Sequence, residues 1–157
     1  MLRTGIDLIE VERIDHLIVT HGQRFLERVY TEQELLDSNG RTPSLAVRMA
    51  AKEAVSKALG CGIGLVSWKD IEIIRDKQQQ PLINLTGNGL ILANELGLNE
   101  WSVSLTHSHD HAAAIVVATG GIGSNSTRRL RYTLHGRMPS PNDVLHHHQS
   151  WRDGRVD

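Results

Sequence analysis

Apolar residues at helical spacing mark the first part of the chain. Four of them define the first predicted helix: Val11, Ile14, Leu17 and Ile18. Gly22 follows at a position where helices commonly end, and residues 24–30 continue as a short second helical piece. Thr31 and Glu34 have the spacing of a capping box, which predicts that a third helix begins at Thr31.

The longest predicted helix begins near Ser44, a good N-cap residue after Pro43, and stops at Gly60. On a helical wheel its core side holds Val47, Ala51, Ala54, Val55 and Ala58. The opposite arc holds Lys52, Glu53, Ser56 and Lys57. The small alanines predict close packing on a sheet, and Lys52 is interpreted as a solvated charge.

Alternating residues predict strands in the remaining segments. A first strand over residues 4–10 would place Ile6 and Leu8 on one face and the carboxylate of Asp7 on the other.

Two hairpins follow. Residues 70–76 and 81–87 are β-rich and are separated by "KQQQ", while 101–107 and 112–119 are joined by the polar "SHDH". A short helix over 88–97 lies between the hairpins and ends at its glycine. This order predicts an α+β domain in which helices pack on a small, largely antiparallel sheet.

Composition separates the domain from its C-terminal extension. The chain has 157 residues and a net charge of −1, which argues against nucleic-acid binding. Residues 1–119 form the predicted domain, and 120–157, rich in Gly, Ser, Pro and Arg, are predicted to be a disordered tail. Cys61 is the single cysteine, and neither a bilayer-spanning run nor a signal peptide is visible. We therefore expect a soluble cytoplasmic protein that does not associate with membranes.

Two carboxylates and two cations form the candidate chemistry. Asp7 on the strand and Glu53 on the long helix could share Mg²⁺, which prefers oxygen ligands and accepts phosphate oxygens. Arg48, Lys57 and the glycine loop after Gly60 suit a phosphate-rich ligand. These residues predict a Mg²⁺-dependent phosphate or diphosphate site. The alternative is that Glu53 and Lys57, four residues apart, form an ordinary surface ion pair.

Three alternating histidines suggest a second kind of site. His107, His109 and His111 would share a face if one strand continued through them, as in an all-histidine zinc site. Polar loop residues are the favoured interpretation, because no cysteine or carboxylate spacing supports zinc. Of the three, His107 at the strand end is the preferred ligand-binding candidate.

Several motifs in one order resemble a known family. "GIDLIEVERI", "RFLERVYTEQEL", "RMAAKEAVSKALG", "DIEI" and "VSLTHSHDHAAAIVVA" together resemble the holo-acyl-carrier-protein synthases, the small 4′-phosphopantetheinyl transferases, across residues 2–118. The resemblance implies that family's fold. It also implies transfer of phosphopantetheine from coenzyme A to a serine of apo-acyl carrier protein, with release of adenosine 3′,5′-bisphosphate, in support of fatty acid biosynthesis. A homotrimer with active sites between subunits is implied as well.

The resemblance also implies residue roles. Asp7, Glu53 and Lys57 would be catalytic, with Asp7 and Glu53 holding Mg²⁺ on the diphosphate and Lys57 contacting the phosphate chain. The residues implied at the coenzyme A site are Arg48, Ser56, Lys57, Gly60, Gly62, Pro81 and His107. The residues implied at the acyl carrier protein are Arg13, Arg24 and Phe25.

Two positions depart from the family pattern. Met49 stands where an aromatic residue is common, so a cofactor contact is expected to differ. His109 stands where a lysine is frequent, which predicts pH-sensitive phosphate binding. The alternative functions are a non-catalytic coenzyme A or nucleotide-binding module and a transferase for a different carrier domain. The general base stays open between a carboxylate and a water molecule.

Overall fold

The computed structural model describes residues 1–120, in which five helices and five strands form an α+β fold. The strands are β1 (Leu2–Glu10), β2 (Ile71–Arg75), β3 (Pro81–Leu85), β4 (Glu100–His107) and β5 (His111–Thr119). The helices are α1 (Val11–His21), α2 (Gln23–Val29), α3 (Glu32–Ser38), α4 (Thr42–Leu59) and α5 (Gly87–Glu95), with a 3₁₀ turn at Trp68–Asp70. The predicted fold class is confirmed. The tail predicted after Gly120 lies outside the described residues.

The main sheet has the strand order β1–β5–β4 and is antiparallel throughout. In its register Asp7 lies opposite Ala114 and Ile6 lies opposite Ile115. Side chains alternate as predicted, so Asp7 points toward the helical side while Ile6 points to the open side of the sheet. The second sheet is the predicted hairpin of β2 and β3.

Helix α4 packs directly on β1 because Gly5 has no side chain. A Cβ atom placed on Gly5 would clash with the carbonyl oxygen of Ala54. The small side chains of α4 also allow this close approach, and Ala54 and Ala58 are both fully buried. This contact determines how near the strand that carries Asp7 lies to the helix that carries Glu53.

The ends of several helices follow their predicted signals. Thr31 caps α3, where its hydroxyl accepts the Glu34 amide proton and the Glu34 carboxylate accepts the Thr31 amide proton. Gly22 ends α1, and Gly60 ends α4 in the left-handed conformation with φ of 75°. The predicted start of α4 was wrong. The helix begins at Thr42, and Ser44 lies inside it as a buried residue.

The polar arc predicted for α4 is largely buried. Lys52 is 0% exposed, so the prediction of a solvated charge was wrong. Ser56 is also buried, and only Lys57 on the second half of the helix is well exposed. The reason is tertiary: α3 and β2 cover the side of α4 that a two-sided wheel assigns to solvent.

The described residues include no helix that is long and apolar enough to cross a membrane.

Candidate active site

Asp7 and Lys57 form one ion pair across the contact of β1 with α4. The Lys57 ammonium donates to Asp7 Oδ1 at 2.7 Å and to the carbonyl oxygen of Ile6 at 2.9 Å. Asp7 points inward from the strand, and Lys57 lies in the last turn of the helix. The pair is open to solvent on the lysine side, whose side chain is 43% exposed.

Glu53 lies one helical turn before Lys57 and close to Asp7. Burial and the neighbouring Asp7 charge raise the pKa of Glu53 to about 7, although Lys57 and Arg13 act in the opposite direction. Among the described residues, Lys57 pairs with Asp7 rather than with Glu53, so the surface ion-pair alternative is wrong. Two carboxylates that repel each other and one ammonium group therefore meet at a single place.

The Gly60 turn continues this group at the end of α4. The amides of Gly60 and Cys61 bond back to the carbonyls of Lys57 and Ser56, which closes the helix. Gly62 in the following loop is exposed. Arg3 was not predicted here, yet its Nη1 lies 3.1 Å from the position that a Cβ on Gly60 would take. We call Asp7, Glu53, Lys57 and the Gly60 turn the carboxylate cluster.

A second group of predicted residues lines a cavity of about 220 Å³. Arg48, Pro81 and His107 come together there from α4, β3 and β4. The cavity is also lined by Val47, Ile73, Ile74, Arg75, Leu105 and Thr106. Arg75 was not among the predicted site residues, because no helix or strand period marks a cation at a strand end as cavity-facing. We call this space the arginine cavity.

Arg48 is held rigidly although it is charged and only 2% exposed. Its Nη1 donates to the hydroxyl of Ser44 at 2.6 Å and to the Ser44 carbonyl at 3.0 Å, and Asp37 lies 3.8 Å from its Nη2. Within residues 1–120, its Nε has no hydrogen-bond partner. Burial and the nearby Arg75 lower the pKa of Arg48, whereas Asp37 raises it. An anion in the cavity would offset the buried positive charge of Arg48.

The carboxylate cluster and the arginine cavity lie on opposite sides of α4. Nine residues separate Arg48 from Lys57, which is about two and a half turns, or roughly 13 Å along the axis. Arg48 and Lys57, which were predicted together for a phosphate-rich ligand, therefore lie at two separate places among the described residues of one chain.

The histidines of the β4–β5 hairpin do not share a face. His107 ends β4, His109 lies in the turn and His111 begins β5. Within residues 1–120, no group of three or more His, Cys, Asp or Glu side chains is arranged to hold a metal ion, so the zinc alternative has no support. His109 is fully exposed, and its hydrogen bond with Asp110 raises the pKa of His109.

Three predicted contact residues are buried in other roles. The hydroxyl of Ser56 donates to the carbonyl of Glu53, which keeps it within the helix. Phe25 packs edge-on against Tyr30 at 6.0 Å between ring centroids and is 6% exposed, so its contact with the carrier stays a prediction that this burial does not favour. Met49 is 5% exposed and belongs to the core. Helical period gives the direction of such a side chain but not the neighbour that covers it.

Arg13 and Arg24, the two arginines predicted to contact the carrier, are both exposed. Arg13 lies on α1, near enough to Glu53 to lower the pKa of that carboxyl group. One exposed cation, Arg13, therefore lies near the carboxylate cluster.

Comparison with known proteins gives consistent matches. The family model described as the 4′-phosphopantetheinyl transferase superfamily matches residues 3–116. A holo-[acyl-carrier-protein] synthase of Herpetosiphon aurantiacus is 50% identical over 127 residues, which cover 76% of this chain and 100% of that protein. A second, from Moorella thermoacetica, is 47% identical over 120 residues, covering 74% of this chain and 93% of that one. The crystal structure of Helicobacter pylori holo-[acyl-carrier-protein] synthase with coenzyme A has a TM-score of 0.68 and 32% identity. The match covers 74% of this chain and 99% of that chain.

Proposed function

This chain belongs to the 4′-phosphopantetheinyl transferase superfamily, and we propose that it is a holo-acyl-carrier-protein synthase. Its substrates are coenzyme A and an apo-acyl carrier protein, and its products are the holo-carrier and adenosine 3′,5′-bisphosphate. The observation that carries the proposal is the meeting of Asp7, Glu53 and Lys57 at one place on β1 and α4. A role in fatty acid biosynthesis follows from the carrier substrate.

The residues of the carboxylate cluster are suited to bind Mg²⁺. Asp7 and Glu53 offer oxygen ligands, and the repulsion that raises the pKa of Glu53 is relieved when a cation lies between two carboxylates. Two protein carboxylates suffice, because Mg²⁺ commonly completes its coordination with water and substrate phosphate. We propose that Asp7 and Glu53 would hold it. When bound, Mg²⁺ would supply positive charge to the diphosphate of coenzyme A.

The residues of the chain account for the remaining steps. The serine oxygen of the carrier forms a bond to the β-phosphorus of coenzyme A, while the bond from that phosphorus to the bridging oxygen breaks. Lys57, partly exposed beside Asp7, can move onto the phosphate chain and stabilise charge on the departing nucleotide. The serine proton leaves to a carboxylate or to a water molecule, the two candidates for the general base.

We propose that a second copy of the chain completes each site. The arginine cavity and the carboxylate cluster face away from each other on α4, so one coenzyme A molecule can span both kinds of residue only between two chains. The outer face of the main sheet is the surface that we propose contacts the second copy. Its exposed apolar residues are Leu2, Ile6, Leu8 and Ile115. A buried apolar face is typical of stable homo-oligomers, which supports the predicted homotrimer.

We propose that the carrier docks beside α1 and α2. Arg13 and Arg24 are exposed there, and an acidic partner surface would complement them. The roles of Gly60, Gly62 and Pro81 at coenzyme A and the cytoplasmic location remain predictions.

Transfer is tested by mass spectrometry of the carrier. The full chain is incubated with coenzyme A, Mg²⁺ and apo-acyl carrier protein, and one phosphopantetheine mass is expected on the carrier with equal release of adenosine 3′,5′-bisphosphate. Lys57→Ala is the inactive comparison, and Lys69→Met, an exposed lysine that belongs neither to the cavity lining nor to the carboxylate cluster, is the matched active one. An unmodified carrier, when an established synthase modifies the same sample, would contradict the proposal. Coenzyme A binding without transfer would favour the non-catalytic module instead.

A further inference from the structure

Lys52 is a buried lysine whose ammonium group is fully engaged. Its Nζ lies 2.7 Å from Glu34 Oε2, 2.7 Å from the carbonyl oxygen of Ile71 and 2.9 Å from the carbonyl oxygen of Trp68. Three donors thus meet three acceptors. The two carbonyls belong to the 3₁₀ turn and the start of β2, so the side chain ties α4 to that segment.

Glu34 is the matching buried acid. Its Oε2 accepts the amide of Thr31 at 2.9 Å, within the capping box of α3, and its Oε1 accepts the amide of Ile73 at 2.9 Å. The side chains of Glu34 and Lys52 are both 0% exposed. The pair therefore joins α3, α4 and β2 through hydrogen bonds that water does not reach. We call these two residues the buried pair.

Stability alone is a weak reason for a buried ion pair, because well-packed apolar residues are often as stabilising. Such pairs instead impose one geometry, since each donor has a single acceptor at the correct distance. The geometry imposed here is that of strand β2 on helix α4.

That geometry shapes the arginine cavity. Ile73, Ile74 and Arg75 of β2 form one wall, and Pro81 lies opposite Arg75 in the hairpin. Arg48, one turn before Lys52 on α4, belongs to the facing wall. The same Ile73 whose amide is bound by Glu34 lines the cavity.

We propose that Lys52 and Glu34 are positioning residues that hold the β2 wall of the arginine cavity at the spacing required to bind coenzyme A. The inference rests on the proposed function, in which this cavity receives part of coenzyme A. Neither residue touches the ligand, and both act through the backbone of β2.

The test uses two variants and one control in the full chain. Lys52→Met removes the ammonium group, and Glu34→Gln keeps the shape of the acid but removes its charge. Lys69→Met is the control, because Lys69 is exposed and lies next to Trp68 in the same 3₁₀ turn. Coenzyme A affinity is measured by titration calorimetry without carrier, at equal protein concentration and with the oligomeric state checked by light scattering. KM values for both substrates and kcat are measured in parallel.

We expect coenzyme A to bind about tenfold more weakly to either variant than to the wild type. KM for coenzyme A should rise in parallel, while KM for the carrier changes less than about twofold and kcat falls only slightly. The Lys69→Met control should match the wild type.

Other results would overturn the inference. Unchanged coenzyme A affinity in folded variants contradicts it, and so does a uniform loss of activity that follows the folded fraction. If both variants lose their cooperative thermal transition, the pair serves folding alone. If the wild type binds coenzyme A but does not transfer it, the proposed function fails while the affinity comparison still tests the buried pair.

Discussion

Replacing Glu53 with glutamine should stabilise the fold at alkaline pH while strongly reducing the rate of transfer. The change keeps the shape of the side chain and removes a charge that the folded state tolerates poorly. Burial and the nearby Asp7 both disfavour ionised Glu53, which is why its pKa rises from 4.5 to about 7. A site built to bind a cation would carry this cost when the cation is absent.

The magnitude follows from proton linkage. Between pH 4.5 and about 7 the folded chain holds the Glu53 proton more tightly than the unfolded chain, so stability falls as pH rises through that window. Each tenfold difference in proton affinity is worth about 1.4 kcal/mol, which sets an upper limit of about 3 kcal/mol at pH 8. Because Glu53 keeps some contact with solvent, we expect about 2 kcal/mol.

The assay is thermal or denaturant unfolding of the wild type and Glu53→Gln in EDTA, from pH 5 to pH 8 at one protein concentration. The variant should gain stability over the wild type progressively, reaching a melting temperature roughly 4–8 °C higher at pH 8. A difference that does not depend on pH would refute the reasoning, and so would a variant that is less stable at pH 8.

Magnesium provides the second half of the test. Mg²⁺ should stabilise the wild type more strongly as pH rises, because it must displace the Glu53 proton, and should have little effect on Glu53→Gln. Transfer by the variant should fall at least about a hundredfold. Near-normal turnover across a Mg²⁺ titration would remove Glu53 from the metal site and from catalysis.

Three further changes test the remaining architecture. Gly5→Ala should cost about 1–3 kcal/mol in unfolding experiments, because the new methyl group meets the Ala54 carbonyl, and its turnover should fall further than its folded fraction. Equal losses would mean that helix spacing does not affect the site. Ile6→Asp on the exposed outer face should leave the subunit folded but shift light scattering toward the 17.5 kDa single chain and abolish transfer. An active single-chain species would refute the shared site. Deletion of residues 121–157 should leave kcat and KM unchanged, and a large drop in either would assign those residues to the site or the oligomer.

Local signals in the sequence were sufficient for most of the secondary structure. The capping box at Thr31, the αL end at Gly60 and the alternation around Asp7 all depend on neighbours only a few residues away. They were therefore predictable without knowledge of the fold. The wrong start of α4 at Ser44 shows the limit, since Ser44 is instead bonded to Arg48 inside the helix.

The chemistry of the carboxylate cluster could also be predicted from the sequence. Asp7, Glu53 and Lys57 lie in short motifs whose residue types indicate a metal and phosphate site, and the structure brings the three together. Which of them pair was decided in three dimensions, because Lys57 reaches a residue fifty positions away in preference to one a single turn away.

Tertiary structure alone decided the environment of α4. Lys52 was interpreted as solvated because a helical wheel has only two sides, whereas α3 and β2 enclose the helix and bury Lys52 against Glu34. Arg48 and Lys57 point to different sides of α4 because about two and a half helical turns separate them, but the elements that each one meets were decided by packing. The period of the sequence indicates the direction of each side chain about its own helix axis. Long-range packing decides which element lies in that direction.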